Sequence, residues 1–237
     1  MRIGHGVIRP VVLTVGDPFR CELVASLCDF AEQVEWCREY RTYNITFEGV
    51  DMTVVSHGIG GPGAAICFEE LIKLGATTII RLGTCGSLKP KEIKRGDLIV
   101  STASCREDGH SDYMVPKGFP AVSDARLAIA LHDTAKALKY KVHLGVTLTQ
   151  AVFYPGPALA STLQLNADSG ALSVEMENST LFVVGTLRKI RTAAISCVDG
   201  CPFLWDEGEY DPHGIVVKEG KQKMILTGLK VGKQVAL

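Results

Sequence analysis

The chain has 237 residues, 46% of them hydrophobic, enough to bury one sizeable core, and a single α/β domain spanning 1–237 is expected. Its formal net charge of −1 lacks the concentrated Lys and Arg excess that a nucleic-acid or acidic-membrane partner favours, so a small-molecule ligand fits better. No apolar run approaches the ~20 residues that span a bilayer, and Met1 to Pro10 lacks the apolar core of a secretory signal, which points to a cytoplasmic protein.

Val11 to Val15 is a β-branched, apolar run ending at Gly16, the pattern of a strand buried on both faces. A helix is expected next, with Asp17 as N-cap, Pro18 as first residue and Leu23, Val24 and Leu27 as its inward stripe. Tyr43 to Phe47 and Met52 to Val55 flank Glu48-Gly49-Val50-Asp51 and read as a hairpin. Ala64 to Leu74 has helical spacing and stops at Gly75, after which Thr77 to Leu82 reads as an interior strand.

Further strands are expected at Asp97 to Thr102, Val142 to Thr149, Leu172 to Glu175 and Thr192 to Val198. Helices are expected at Asp124 to Leu138, Glu177 to Leu187 and Val216 to Val235, the last with Met224, Gly228, Val231 and Val235 on one face. Strands separated by helices imply a mixed, largely parallel, twisted sheet flanked by helices on both faces. The irregular stretches 104–123 and 199–215 are long enough to cover a site.

The eight cysteines are scattered through a chain with its own core, and reduced thiols are expected. Cys197 and Cys201 lack C-x-x-C spacing, no second pair exists and no H-E-x-x-H occurs, so no metal site is expected.

Gly58-Ile59-Gly60-Gly61-Pro62-Gly63 matches G-x-G-x-x-G between a strand and a helix. A dinucleotide site also wants an acidic residue about 20 positions on, where the chain has Arg81, Leu82 and Gly83. A glycine-lined turn that lets a ligand approach backbone is the simpler reading. Gly16-Asp17-Pro18-Phe19-Arg20 sets free N–H groups at a helix start beside a guanidinium, an arrangement that favours an anion. Arg81 to Ser87 repeats the logic at another strand end, with a charged fork, a hydroxyl and glycine-freed amides.

An arginine following Thr77-Thr78-Ile79-Ile80 would be costly if unpaired, which favours a function over a solvated side chain. Val174-Glu175-Met176-Glu177 places two carboxylates where strand becomes helix; a carboxylate suits a ribose cis-diol, and Glu175 fits a helix-dipole role equally well. Asp199 ends an apolar strand, where a buried carboxyl can donate a proton; capping the next turn is its structural alternative.

Six motifs run in order: GDPFR (16–20), REYRTY (38–43), SHGIGGPG (56–63), RLGTCGSL (81–88), VEME (174–177) and VDGCPFLWDEG (198–208). Together they resemble the nucleoside phosphorylases whose type includes hexameric purine nucleoside phosphorylase and uridine phosphorylase. The stretch after Asp199 is most similar to that of the purine phosphorylases of parasitic protozoa.

The resemblance implies that Gly16, Arg20, Arg81 and Thr84 hold phosphate and that Arg38 reaches into a neighbouring subunit's site, within a hexamer built from three dimers. It implies Ile59, Met176 and Glu177 at the ribose, with Glu177 accepting from the 2′ and 3′ hydroxyls. A neighbour's N-terminal histidine serves the 5′ hydroxyl in the family; His5 is the candidate, though it lies closer to Pro10 than the family spacing. Val152, Phe153, Val174 and Trp205 would border the base, with Asp199 as catalytic acid facing N7. Inorganic phosphate would be a co-substrate and no cofactor is implied.

Uridine phosphorylases read uracil with a glutamine and an arginine after an FYPG segment. Here Phe153-Tyr154-Pro155-Gly156 is followed by Pro157, Ala158 and Leu159, which cannot hydrogen-bond uracil edges. A nucleoside hydrolase has no need of the arginines, and a mere nucleoside binder has no need of Asp199. Asp206 to Asp211 reads as a solvated loop or as a flap over the base.

Overall fold

The computed structural model describes residues 3–237. In chain order the elements are β1 (Val11–Val15), α1 (Pro18–Ala25), β2 (Phe30–Cys37), β3 (Tyr40–Phe47), β4 (Val50–Ser56), α2 (Gly61–Lys73), β5 (Thr78–Ser87) and β6 (Leu98–Glu107). They continue with β7 (Ala121–Val122), α3 (Ala125–Ala137), β8 (Val142–Gln150), α4 (Leu163–Asp168), β9 (Ser173–Glu175), α5 (Asn178–Arg188), β10 (Arg191–Gly200) and α6 (Ile215–Ala236).

The local signals explain most of these boundaries. The Asp17 carboxylate accepts from the Phe19 amide at the start of α1, and Asp124 does the same for Leu127 at the start of α3, both as N-caps. The β3–β4 hairpin turns on Glu48 and Gly49, whose φ values of 47° and 78° are the left-handed pair that a two-residue hairpin needs. The inward residues of α1 are Cys21 and Val24; Leu23 is only partly buried and Leu27 lies beyond the helix and exposed, because the helix ends at Ala25.

Among the described residues the strands form one mixed sheet, ordered β2-β3-β4-β1-β5 on one side. From β5 the sheet continues through β9, β8, β6 and β10, and β10 pairs back onto β5, closing a ring. Parallel pairing of β1 with β4 and β5, of β5 with β10 and of β8 with β6 and β9 makes the centre. Antiparallel pairs supply the β2-β3-β4 edge and two of the ring's joints, β5–β9 and β6–β10.

Alternation along each strand splits the core between the two faces. Val11, Leu13 and Val15 of β1 pack with Ile80, Leu82, Met224 and Leu229 on the face covered by α1, α3 and α6. Val12 points the other way, joining Val55, Phe68, Ile79 and Phe182 beneath α2 and α5. The α6 face holds Met224, Gly228 and Val231 buried, with Val235 partly so. A Cβ on Gly228 would stand 2.4 Å from Leu82 Cδ2, so this glycine lets helix and sheet approach closely.

Three strands run further than their apolar cores. β5 continues to Ser87, β6 to Glu107 and β10 to Gly200, so the polar and glycine-rich ends are sheet as well. This places Arg81, Thr84 and Asp199 on strands rather than on loops.

Candidate active site

A cavity of about 870 Å³ opens where the parallel strands β1, β4, β5 and β10 deliver their carboxyl ends. Gly16 and Arg20 reach it from the β1–α1 turn, Ile59 from the β4–α2 turn, Arg81 and Thr84 from β5, and Asp199 from β10. Val174, Met176 and Glu177 enter at the β9–α5 junction, and Val152, Phe153 and Trp205 from the two loops that follow β8 and β10.

Arg81 is 3% exposed and is paired rather than isolated. Its Nη1 donates to Asn178 Oδ1 at 2.9 Å and lies 3.1 Å from Glu175 Oε2, while Nη2 donates to Glu177 Oε2. Room for the guanidinium comes from Gly83, two residues on and therefore on the same face of β5. A Cβ there would sit 2.4 Å from Arg81 Nη1. The Arg-x-Gly spacing was thus a readable signal that the arginine folds back over its own strand.

Each carboxylate in this cluster does more than balance charge. Glu175 Oε2 accepts from the Glu177 and Asn178 amides at 2.8 and 2.9 Å, capping the start of α5, and Oε1 accepts from the Thr149 hydroxyl. Burial pushes its carboxyl above the ordinary range, against the pull of Arg81. The helix-start role weighed for Glu175 is therefore present, joined to a second role as partner of Arg81. Glu177 Oε1 accepts from the Gly60 amide at 2.7 Å. The glycine turn, with Gly58 and Gly60 at φ 76° and 87°, so directs an amide at a carboxylate.

Two cations, Arg20 and Arg81, line one part of the cavity. Arg20 donates to the Leu82 carbonyl at 3.3 Å. Its pKa is lowered, first by burial and then by the nearby Arg81, while Asp17 and Asp199 oppose the shift. Two guanidinium groups that raise each other's energy in a low-dielectric pocket favour an anion between them.

Asp199 is 9% exposed. Burial raises its carboxyl to about 6, with the Thr84 hydroxyl, Lys221 and Arg20 pulling it back. A carboxyl poised there can hold or release a proton near neutral pH. Lys221 of α6, which sequence reasoning missed, donates to the Pro212 carbonyl at 2.7 Å and so ties down the loop that follows Asp199. Within that loop the Asp211 amide donates to the Asp199 carbonyl at 3.2 Å and Tyr210 bridges Gly200. Asp206 and Glu207 are solvated, whereas Tyr210 lines the cavity, so the acidic stretch divides between the two roles considered for it.

At the far end the walls are apolar and aromatic. Phe153 and Trp205 have ring centroids 4.9 Å apart, and Trp205 and Tyr210 5.4 Å, so the loops after β8 and β10 meet across the cavity mouth. Ile59 is 81% exposed in the single chain although it lines the cavity. Arg38 and His5 are exposed and do not line the cavity of their own chain. The eight cysteines are free thiols.

Residues 10–224 match the Phosphorylase superfamily, and the chain belongs to that family. It is 43% identical over 227 residues to the purine nucleoside phosphorylase of Plasmodium vivax (strain Salvador I), covering 96% of this chain and 92% of that one. Among solved structures it resembles the Toxoplasma gondii purine nucleoside phosphorylase in complex with immucillin-H, with TM-score 0.96 and 40% identity over 99% of this chain and 94% of that one. A uridine phosphorylase of Treponema pallidum is 38% identical over 208 residues, covering 84% of this chain and 78% of its own.

Proposed function

We propose that this chain is a purine nucleoside phosphorylase, catalysing the reversible phosphorolysis of purine ribo- and 2′-deoxyribonucleosides, such as inosine or guanosine, to free base and (deoxy)ribose 1-phosphate. The observation that carries the reading is the contact of Arg81 with Glu177 beside Arg20. It supports the reading of an anion subsite lying beside a carboxylate suited to a cis-diol. A hydrolase would need the second without the first.

The chemistry follows from where charge develops. As the bond between C1′ and N9 breaks, its electron pair goes to the purine and positive charge grows on the ribose ring. Phosphate held by Gly16, Arg20, Arg81 and Thr84 would face that charge and bond to C1′. Glu177 would accept from the 2′ and 3′ hydroxyls and fix the ring, with Met176 and Ile59 as apolar walls. Asp199, protonated, would give its proton to N7, assistance worth roughly 10²- to 10⁴-fold. Val152, Phe153, Val174 and Trp205 would enclose the base.

Arg38 and His5 would serve a neighbour's site, in a hexamer built as a trimer of dimers. Purine salvage in the cytoplasm is the setting that fits such an enzyme; among the described residues no helix is long and apolar enough to cross a membrane. The test is inosine with and without inorganic phosphate. Hypoxanthine and ribose 1-phosphate should form only when phosphate is present, and phosphate-independent release of base would overturn the proposal.

A further inference from the structure

His57 directly follows β4 and is completely buried. Its amide donates to the Val15 carbonyl at 2.8 Å, and its ring meets Phe68 edge-on with centroids 5.5 Å apart, so backbone and ring are both packed in place. Its Nε2 lies 3.2 Å from Arg81 Nε. A guanidinium N–H can only donate, so Nε2 carries the lone pair and the ring proton sits on Nδ1. The same ring abuts the first phosphate motif: a Cβ on Gly16 would stand 3.8 Å from His57 Cε1. One side chain thus touches both strand ends that are proposed to hold the anion.

The choice of a histidine has a physical reason. Glu175 and Glu177 already place two carboxylates on Arg81. A third on Nε would cancel the positive charge an anion needs, whereas an imidazole supplies an acceptor without charge. Burial, together with Arg81, holds His57 well below its ordinary pKa and in the neutral form. Nε donates to His57, Nη1 to Asn178 and Nη2 to Glu177, with Glu175 Oε2 3.1 Å from Nη1, which leaves the second Nη2 hydrogen without a protein acceptor among the described residues and able to meet an anion.

We infer that His57 is a positioning residue of the phosphate subsite: its neutral ring accepts from Arg81 Nε and locks the guanidinium so that the second Nη2 hydrogen faces the anion. The inference rests on the phosphorolysis reading for the identity of the anion, but its test does not need turnover. Calorimetry with inorganic phosphate should show His57→Phe, which keeps the shape and loses the acceptor, binding phosphate roughly 10- to 100-fold more weakly, as for a lost hydrogen bond to a charged group. His57→Gln, with a neutral acceptor, should recover most of that loss.

In kinetics the KM for phosphate should rise in His57→Phe while the KM for inosine changes less than about two-fold. Nitrogen-15 spectra of the wild-type protein give a reading independent of any variant's folding: the His57 ring should be neutral and protonated on Nδ1 from pH 6 to 8. A ring protonated on Nε2, or phosphate affinity unchanged in a folded His57→Phe, would overturn the inference. Should the wild-type protein bind phosphate but cleave no nucleoside, the proposed function fails and the role of His57 is still decided.

Discussion

Arg81 and Glu177 form a buried ion pair in which the carboxylate's second oxygen accepts from the Gly60 amide. The pair joins the proposed anion subsite to the proposed diol subsite, so a change at one is expected to be felt at the other. Breaking a buried pair from one side strands the remaining charge, which costs about 3 to 5 kcal/mol when nothing else compensates. Here Glu175 and Asn178 remain as partners of Arg81, so the loss is moderated.

Glu177→Gln should therefore fold, keeping an oxygen for Gly60. Its nucleoside kcat/KM should fall by roughly 100-fold or more as the diol loses a charged acceptor. Phosphate, freed of one competing carboxylate, should bind on the order of a few-fold more tightly. Initial rates and calorimetric titration with phosphate check the two directions, and weaker phosphate binding in Glu177→Gln would contradict the shared-edge geometry.

Arg20 and Arg81 repel each other across the cavity. An anion that relieves this should stabilise the folded protein, by about 2.7 kcal/mol at a concentration 100 times its Kd. The melting temperature of the wild-type protein should rise with added phosphate, and the rise should largely vanish in Arg20→Met, whose KM for phosphate should increase at least about tenfold. Equal melting shifts in the two proteins would remove Arg20 from the anion site.

The sheet's centre was legible because β1 is apolar on both faces before Gly16 and the first half of β5 is a largely apolar run before Gly83, although β5 itself runs on to Ser87. The β2 strand was not: Glu32, Gln33 and Glu35 interrupt any apolar pattern, and as the sheet's edge it pairs with β3 alone. Nothing local announces that β10 pairs with both β5 and β6, since ring closure joins segments far apart in the chain. At the site, Gly16, Arg20, Arg81, Thr84, Glu177 and Asp199 were readable from strand ends and glycine-rich motifs, whereas Ile59, Val152, Phe153, Val174, Met176 and Trp205 came from the family resemblance alone; all twelve line one cavity. His57 and Lys221 act through contacts that exist only once β4 and α6 are packed against their neighbours.

Asp199 is a site where stability and activity should trade against each other. Its folded pKa of about 6 lies above the ordinary 3.8, so its stabilising contribution is whole below pH 3.8 and is lost as pH rises through 6. At pH 7.5 the ionised, buried carboxylate then costs about 3 kcal/mol relative to a neutral side chain of the same shape. Asp199→Asn should melt higher than the wild type at pH 7.5, by about 2 to 4 °C per kcal/mol for a chain of this length, and lose the advantage below pH 4. Turnover should drop roughly 10²-fold or more, because an amide cannot deliver a proton to N7.

The same carboxyl sets a pH limb. If the protonated form gives its proton to the leaving base, kcat/KM for inosine should decline as pH rises through about 6, and Asp199→Asn should lack that decline. Lys221 lowers the Asp199 pKa by its charge. Lys221→Met removes the cation, leaves the carboxylate less stabilised and so should move the limb to higher pH. The substitution also releases the Pro212 carbonyl and will reduce the absolute rate by loosening the loop. The position of the limb, read from a pH series, separates the two effects: loosening alone scales the curve, while loss of the charge shifts it. A limb that stays in place, or moves to lower pH, would show that Asp199 is not the proton donor.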